Sequence, residues 1–417
     1  MNITTIVFCV VGGIVHYYDY RIYNFLAAQI TQFYMAPGDY ISQLSITYVI
    51  IAISYCAKPL GAILLGKSGD RHGRLATLII SIICVGIASL LIAVIPGYAT
   101  IGVYATVILL CCRIIIVGFA SSGTDGIRIF LYESIGKKNQ NLAMSIMSGI
   151  AVFGAFCASL SSLYFTLNTS GANDWRYAFG IGAALNAAII VAAYIFRNRF
   201  NFENNLIFED KYQEYDVMPL SLILKKHLSL FLTVAITTGC ISAVMMLHHD
   251  FLGTYFFSVL DLISQQQMRV ITSMGMALFF CFAFMSGLLA DQYGYRIVAY
   301  VGCILSVIFY TINIVLLIQY KTISIVAYVG GFCSLPMIVI TSMCRVNGAI
   351  PKVIRYRIES LAHACGSIII AGTAPLCATQ MYKATLISCL PLIYCGILVI
   401  ILGFVITHWF KNDLFIK

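Results

Sequence analysis

Apolar residues run along the chain in stretches of about twenty, each closed by charge, glycine or proline, near 3–32, 43–66, 75–95, 100–131, 142–166, 176–196, 228–257, 267–290, 297–318, 323–346, 358–381 and 385–408. Runs of that length match the roughly 20 residues a helix needs to cross the hydrocarbon core of a bilayer. The alternation of a barrel strand, about 10 residues long, is absent, so the pattern predicts an all-α membrane protein of twelve spanning helices. The longest polar stretch, from Arg197 to His227, falls between the sixth and seventh runs. It divides the chain into an expected N-terminal six-helix bundle (1–196), a linker (197–227) and a C-terminal six-helix bundle (228–417).

Composition narrows the classes of function. With 61% hydrophobic and 10% charged residues, and a mean hydropathy of +0.93, the chain has too little polar surface for a water-facing globule. A nucleic-acid-binding protein, a secreted disulfide scaffold and a cytosolic enzyme are thereby excluded. The 15 cysteines are scattered through apolar runs and read as small apolar side chains. The net charge of +9 arises from 25 basic and 16 acidic residues. One set of connections holds most of the basic ones, among them Lys67, Arg71, Arg74, Lys137, Lys138, Lys225, Arg296, Arg355 and Lys411, against Arg176, Lys321 and Lys383 in the other. That asymmetry places both termini and the linker in the cytoplasm. The first run lacks a basic n-region and is expected to be a retained span rather than a signal peptide. No external loop is long enough to form a domain, which suits a bacterial inner-membrane protein; Asn168-Thr169-Ser170 is a glycosylation acceptor only in a eukaryotic host.

An internal repeat relates the two halves. Gly66-Lys67-Ser68-Gly69-Asp70-Arg71-His72-Gly73-Arg74 follows the second run, and Gly287-Leu288-Leu289-Ala290-Asp291-Gln292-Tyr293-Gly294-Tyr295-Arg296 follows the eighth. In each, an Asp stands four residues and a second Gly seven residues after the first Gly, with an Arg just beyond. The glycines permit a tight turn and close helix approach, while the Asp can cap a helix start and pair with basic groups across the seam between halves.

These loops resemble the cytoplasmic signature of the major facilitator superfamily, which implies two pseudo-symmetric six-helix bundles and a gating role for Gly66, Asp70, Arg71, Gly73, Arg74, Gly287, Asp291, Gly294 and Arg296. Glu133 is expected to join that inner gate. In the first span, Gly12-Gly13-Ile14-Val15-His16-Tyr17-Tyr18-Asp19-Tyr20-Arg21-Ile22-Tyr23 is similar to the Gly-Asn-x-x-Glu-Trp-Tyr-Asp-Phe-x-x-Tyr stretch of the metabolite–proton symporter branch, which carries proline, betaine, oxoglutarate, citrate and shikimate. Lys58-Pro59-Leu60-Gly61 resembles that branch's Arg-Pro-Leu-Gly, and the fourth span matches around Arg113 and Glu133. Departures fall where substrate chemistry is set. His16 and Tyr17 replace Glu and Trp, and the polar Gln and acidic residue of the fourth span fall near Ile116 and Gly123.

Ionisable side chains at membrane depth cost several kcal/mol and face cavities or partners. His16, Asp19 and Tyr23, spaced i, i+3 and i+7, share a helical face expected to point at a central cavity. Asp19 is a candidate proton carrier, the alternative being a fixed pair with Arg21 or Lys58. Arg113 lies roughly 18 Å along the helix axis from Asp125. Its planar fork suits a carboxylate. Asp125 and Arg128 at i, i+3 either neutralise each other or serve the proton. In His248-His249-Asp250, His248 and Asp250 form either a hydrogen-bonded outer-gate cluster or a site for substrate and proton, and His363 is either a packing residue or a ligand. The expected substrate-binding set is Arg113, Tyr23, His16, Lys58, His248 and His363. The expected proton-coupling set is Asp19, Asp125 and Asp250.

Three classes of function fit these residues: a secondary transporter, an intramembrane enzyme and a non-transporting receptor. HExxH, GxSxG and Cys/His zinc spacings are absent, so no catalytic residue, metal or cofactor is expected. The buried cations Arg21, Lys58, Arg113 and Arg128 favour a carboxylate-bearing solute moved with protons by alternating access. The fifth span lacks the Gly-Pro-x-x-Gly-Gly signature of drug–proton antiporters, although export of a polycarboxylate such as a siderophore fits the same cations. The expected partners are the small solute, protons and the lipid bilayer, with no nucleic acid, and the expected state is a monomer.

Overall fold

The structure, a computed structural model, describes the chain apart from residues 1–2, Gly73, Gly136, 168–172, 196–219, 321–322, 352–353 and 409–417. Twelve spans are traced among the described residues: α1 (Ile3–Phe25), α2 (Tyr40–Leu65), α3 (Arg74–Val94), α4 (Val103–Ser134), α5 (Gln140–Leu167), α6 (Tyr177–Ile195), α7 (Leu228–Val259), α8 (Gln265–Tyr293), α9 (Tyr295–Tyr320), α10 (Ser324–Ala349), α11 (Arg357–Thr385) and α12 (Leu390–His408). Nine are long and apolar enough to cross a membrane. Leu78–Val94 within α3 and Leu390–Ile406 within α12 are shorter apolar helices. The remaining span is α1, whose apolar run is broken by His16, Asp19 and Arg21. Most of the expected linker lies outside the described residues; its end forms the short helix Leu220–Lys226.

Helix packing repeats with an offset of six. Span α1 packs on α5 and α6, α2 on α4, and α3 on α4 and α6. Correspondingly α7 packs on α11 and α12, α8 on α10, and α9 on α10 and α12. The contacts between the two groups obey the same symmetry, with α2 against α11 and α8 against α5. The second signature loop sits on this seam. A side chain at Gly287 would collide with Ser145 and the Asn141 carbonyl of α5, so only glycine allows the helices to approach this closely. Gly294 ends α8 at φ +93, a conformation in which a side chain is strained.

Local breaks place polar groups inside the bundle. Pro59 has no N–H for the Tyr55 carbonyl, and α2 turns at Cys56-Ala57 just before Lys58. A kink at Leu26 separates α1 from its continuation Ala27–Tyr34. Wide π-turns occupy Leu247–Phe251 and Tyr255–Val259 in α7 and Ser367–Ala371 in α11. Such turns re-aim side chains and recur at functional sites. At the exposed start of α2, Asp39 accepts from the Ser42 N–H at 3.0 Å, which holds its carboxyl below the usual range.

Candidate functional site

A cavity of about 130 Å³ lies between the two groups of spans. A single water needs only about 10–15 Å³ on this measure. The first group contributes His16, Tyr17, Tyr20 and Arg21 from α1, Tyr55 and Lys58 from α2, Ser121, Thr124 and Arg128 from α4, and Met144, Met147 and Ser148 from α5. The second contributes Ser242, Met245, Met246, Phe279, Met343 and His363, among others. The methionines give a soft apolar wall that adapts to an occupant's shape.

Lys58 stands apart from the other cations of this wall. Its Nζ lies 4.1 Å from the Tyr55 ring centroid and 5.7 Å from that of Tyr20. It makes no ion pair among the described residues. The hydroxyls of Tyr20 and Tyr55 are hydrogen-bonded to each other. Arg21 is paired with Asp250 across the seam, and the Asn24 amide donates to the same carboxylate at 2.9 Å. Arg128 bridges Asp125 at 3.0 Å and Glu359 at 3.2 Å. Of the lysine and arginine side chains on the wall, therefore, Lys58 is the one without an ion pair among the described residues, and it draws an anion in the cavity.

At one end of the cavity, α4 and α11 are joined by a buried polar network. His363 Nδ1 meets Asp125 Oδ1 at 3.1 Å, its Nε2 lies 3.3 Å from Ser242 Oγ, and Asn347 donates to Glu359 at 3.3 Å. Beyond it, Arg355 pairs with Glu133 at 3.1 Å. Asp291 accepts from the Asn141 N–H at 3.1 Å, the Asn141 side chain at 2.8 Å and the Leu142 N–H at 3.0 Å, capping α5. At the other end, Arg21–Asp250 is accompanied by Arg269, which donates to the Phe25 carbonyl beside the α1 kink. Contacts that cross the seam thus flank the cavity on both sides.

The expected residues separate into several places. His16, Lys58 and His363 line the cavity. His16 Nε2 lies 2.9 Å from Ser81 Oγ, and since Ser81 donates to the Phe119 carbonyl, the imidazole donates to Ser81 and keeps Nδ1 as a bare acceptor. Asp19 does not line the cavity. It lies fully buried against α3 and α6, accepting from Ser89 and Asn186 at 2.6 Å each, and pairs with neither Arg21 nor Lys58. Arg113 and Tyr23 are stacked at 4.3 Å behind the wall. His248 packs among Tyr310, Tyr328 and Phe332, away from the cavity. Of the first signature loop, Gly73 lies outside the described residues; Gly66, Asp70, Arg71 and Arg74 are on described helical backbone, but their side chains are not described. Arg296 donates to the Tyr295 hydroxyl at 3.2 Å. Sequence reasoning missed Arg269, whose signal was a charge inside an apolar run, and the Tyr20–Tyr55 pair, which gives no signal among 26 tyrosines.

Comparison with known proteins agrees with this architecture. The sequence profile of the Major Facilitator Superfamily matches residues 9–343. A putative proline/betaine transporter of Staphylococcus aureus (strain MSSA476) is 27% identical over 398 residues, covering 91% of this chain and 82% of the relative. The citrate-proton symporter of Salmonella typhi is 26% identical, over 69% of this chain and 65% of the relative. The alpha-ketoglutarate permease of Escherichia coli (strain K12) is 26% identical, over 42% of this chain and 41% of the relative. Among solved structures, a D-xylose-proton symporter superposes with TM-score 0.77 at 14% identity, covering 98% of both chains. A cavity between two groups of spans whose packing repeats with an offset of six, flanked by contacts across their seam, is thus found in a chain that belongs to the major facilitator superfamily, a family of membrane transporters rather than enzymes.

Proposed function

We propose that this chain is a secondary active transporter that moves a small carboxylate-bearing solute together with protons by alternating access. The observation that carries this reading is Lys58, a buried amine on the cavity wall that faces two aromatic rings and makes no ion pair among the described residues. The charge of a lysine without an ion pair in a low-dielectric cavity is stabilised when an anion arrives, which favours anionic or zwitterionic occupants. Proline, betaine, citrate and ketoglutarate, named for the relatives, all bear a carboxylate.

For the proton, geometry favours Asp125 and His363 over Asp19. The former pair joins the two halves at the edge of the cavity, so a change in its protonation bears directly on whether the seam holds. Asp19 and its two donors all belong to the first six spans. Asp250, held by Arg21 and Asn24, acts as part of the opposite gate. In this account residues 1–196 and 228–417 are the rocking units, and the basic-loop asymmetry puts both termini on the cytoplasmic side of a bacterial inner membrane.

The test is uptake of labelled proline, betaine, citrate and 2-oxoglutarate by proteoliposomes under an imposed pH gradient. Accumulation of at least one, dissipated by a protonophore, is expected. Transport confined to solutes without a carboxylate would remove the proposed role of Lys58.

A further inference from the structure

Arg113 is a fully buried side chain, the largest of those among the described residues. Of its three nitrogens only Nη1 has a partner, the Tyr20 carbonyl at 3.2 Å; Nε and Nη2 have none, and neither does the Tyr23 hydroxyl. Nε and Nη2 form one edge of the guanidinium, the pair of parallel donors that grips a carboxylate bidentately. Burying a charge with that edge unsatisfied costs more than the ring contacts with Tyr23 and Tyr20 return, unless an anion meets it in another conformation.

Tyr20 neighbours both Arg113 and the cavity residue Lys58. Its ring centroid is 5.7 Å from Lys58 Nζ and 5.8 Å from Arg113 Cζ, and its hydroxyl is held by Tyr55. Lys58, Tyr20 and Tyr55 line the cavity, whereas Arg113 and Tyr23 do not. Along α4, Arg113 is roughly 18 Å from Asp125, toward the end closed by Arg21–Asp250.

We propose that Arg113 and Tyr23 form a second carboxylate station, shut in this conformation, which takes the solute's carboxylate on entry from the Arg21–Asp250 side and passes it to Lys58 as Tyr20 closes behind it. This rests on the carboxylate reading above and adds an order of contacts to it. A station met from one side only makes transport asymmetric. Variants of Arg113 should weaken apparent affinity from that face alone, and variants of Lys58 should weaken it from both.

The experiment measures KM from each face, in right-side-out and inside-out vesicles, for whichever of proline, betaine, citrate and 2-oxoglutarate the unmodified protein carries. Arg113→Lys should raise KM from the Arg21–Asp250 face at least tenfold and from the other less than twofold. Tyr23→Phe, which removes only a hydroxyl, should show the same asymmetry at several-fold and decides the matter if Arg113→Lys does not insert. Lys58→Gln should raise both values. Equal effects of Arg113→Lys and Tyr23→Phe on the two faces, or none, would overturn the second station while leaving the transporter reading intact. Failure of the unmodified protein to carry any of the four acids would sink the carboxylate reading and this proposal together.

Discussion

His363 Nδ1 lies 3.1 Å from Asp125 Oδ1, and the contact joins α11 to α4 across the seam. Asp125 also receives Arg128, which reaches on to Glu359, so four buried ionisable side chains share one network. Each member depends on the charge of the others. Removing a charge there leaves a buried partner uncompensated, a change of several kcal/mol, enough to move a two-state equilibrium from one face to the other.

His363→Gln retains a donor for Asp125 but no titratable ring. The expected outcome is a flattened pH dependence of uptake, because glutamine cannot take up a proton, with the protein still inserted and folded. Uptake that keeps its full pH dependence in this variant would take His363 out of the coupling step.

Asp19→Asn tests the other carboxylate. Asp19 accepts from both Ser89 and Asn186, and an amide in its place can accept from only one of them. A loss of about 1–3 kcal/mol of stability is expected, read as a lower melting temperature in detergent, with accumulation driven by a pH gradient retained. Loss of accumulation with unchanged melting would return the proton to Asp19.

Lys58→Gln removes the surplus cation of the cavity. Losing a charge-assisted contact of about 1.5–3 kcal/mol corresponds to a rise in Kd of roughly 10- to 150-fold. Calorimetric titration of the purified variant with the transported acid checks this. Affinity within twofold of the unmodified protein would place the carboxylate elsewhere.

Asp291→Ala removes the acceptor for two backbone N–H groups at the start of α5. A cap of this kind contributes about 0.5–2 kcal/mol, here only in the conformation that closes this end. The maleimide labelling gained with Ser145→Cys, a site packed against Gly287, should therefore accelerate when Asp291→Ala is added. An unchanged labelling rate would show that the loop does not hold the seam.

Much of the fold was legible because a bilayer imposes its own length on every apolar run; all twelve expected runs correspond to traced spans. The capping role argued for Asp70 lies outside the described side chains; its counterpart in the second loop, Asp291, caps the start of α5. The site was read less completely. His16, Asp19 and Tyr23 do share a face of α1, yet they meet α3, the α3/α6 niche and Arg113 in turn. A helix packed by α4, α5 and α6 changes neighbours along its length, and periodicity does not reveal which neighbour comes where. The contacts of Tyr20 with Tyr55 and Lys58 join the first span to the second, a tertiary consequence invisible in residue spacing.

The most direct measurement compares the unmodified protein with Asp125→Asn in proteoliposomes, following both concentrative uptake of a labelled carboxylate under an imposed pH gradient and its exchange at equal pH. The account predicts that the unmodified protein concentrates the acid, while the variant exchanges it yet never exceeds the outside concentration. Undiminished concentrative uptake by Asp125→Asn would contradict it.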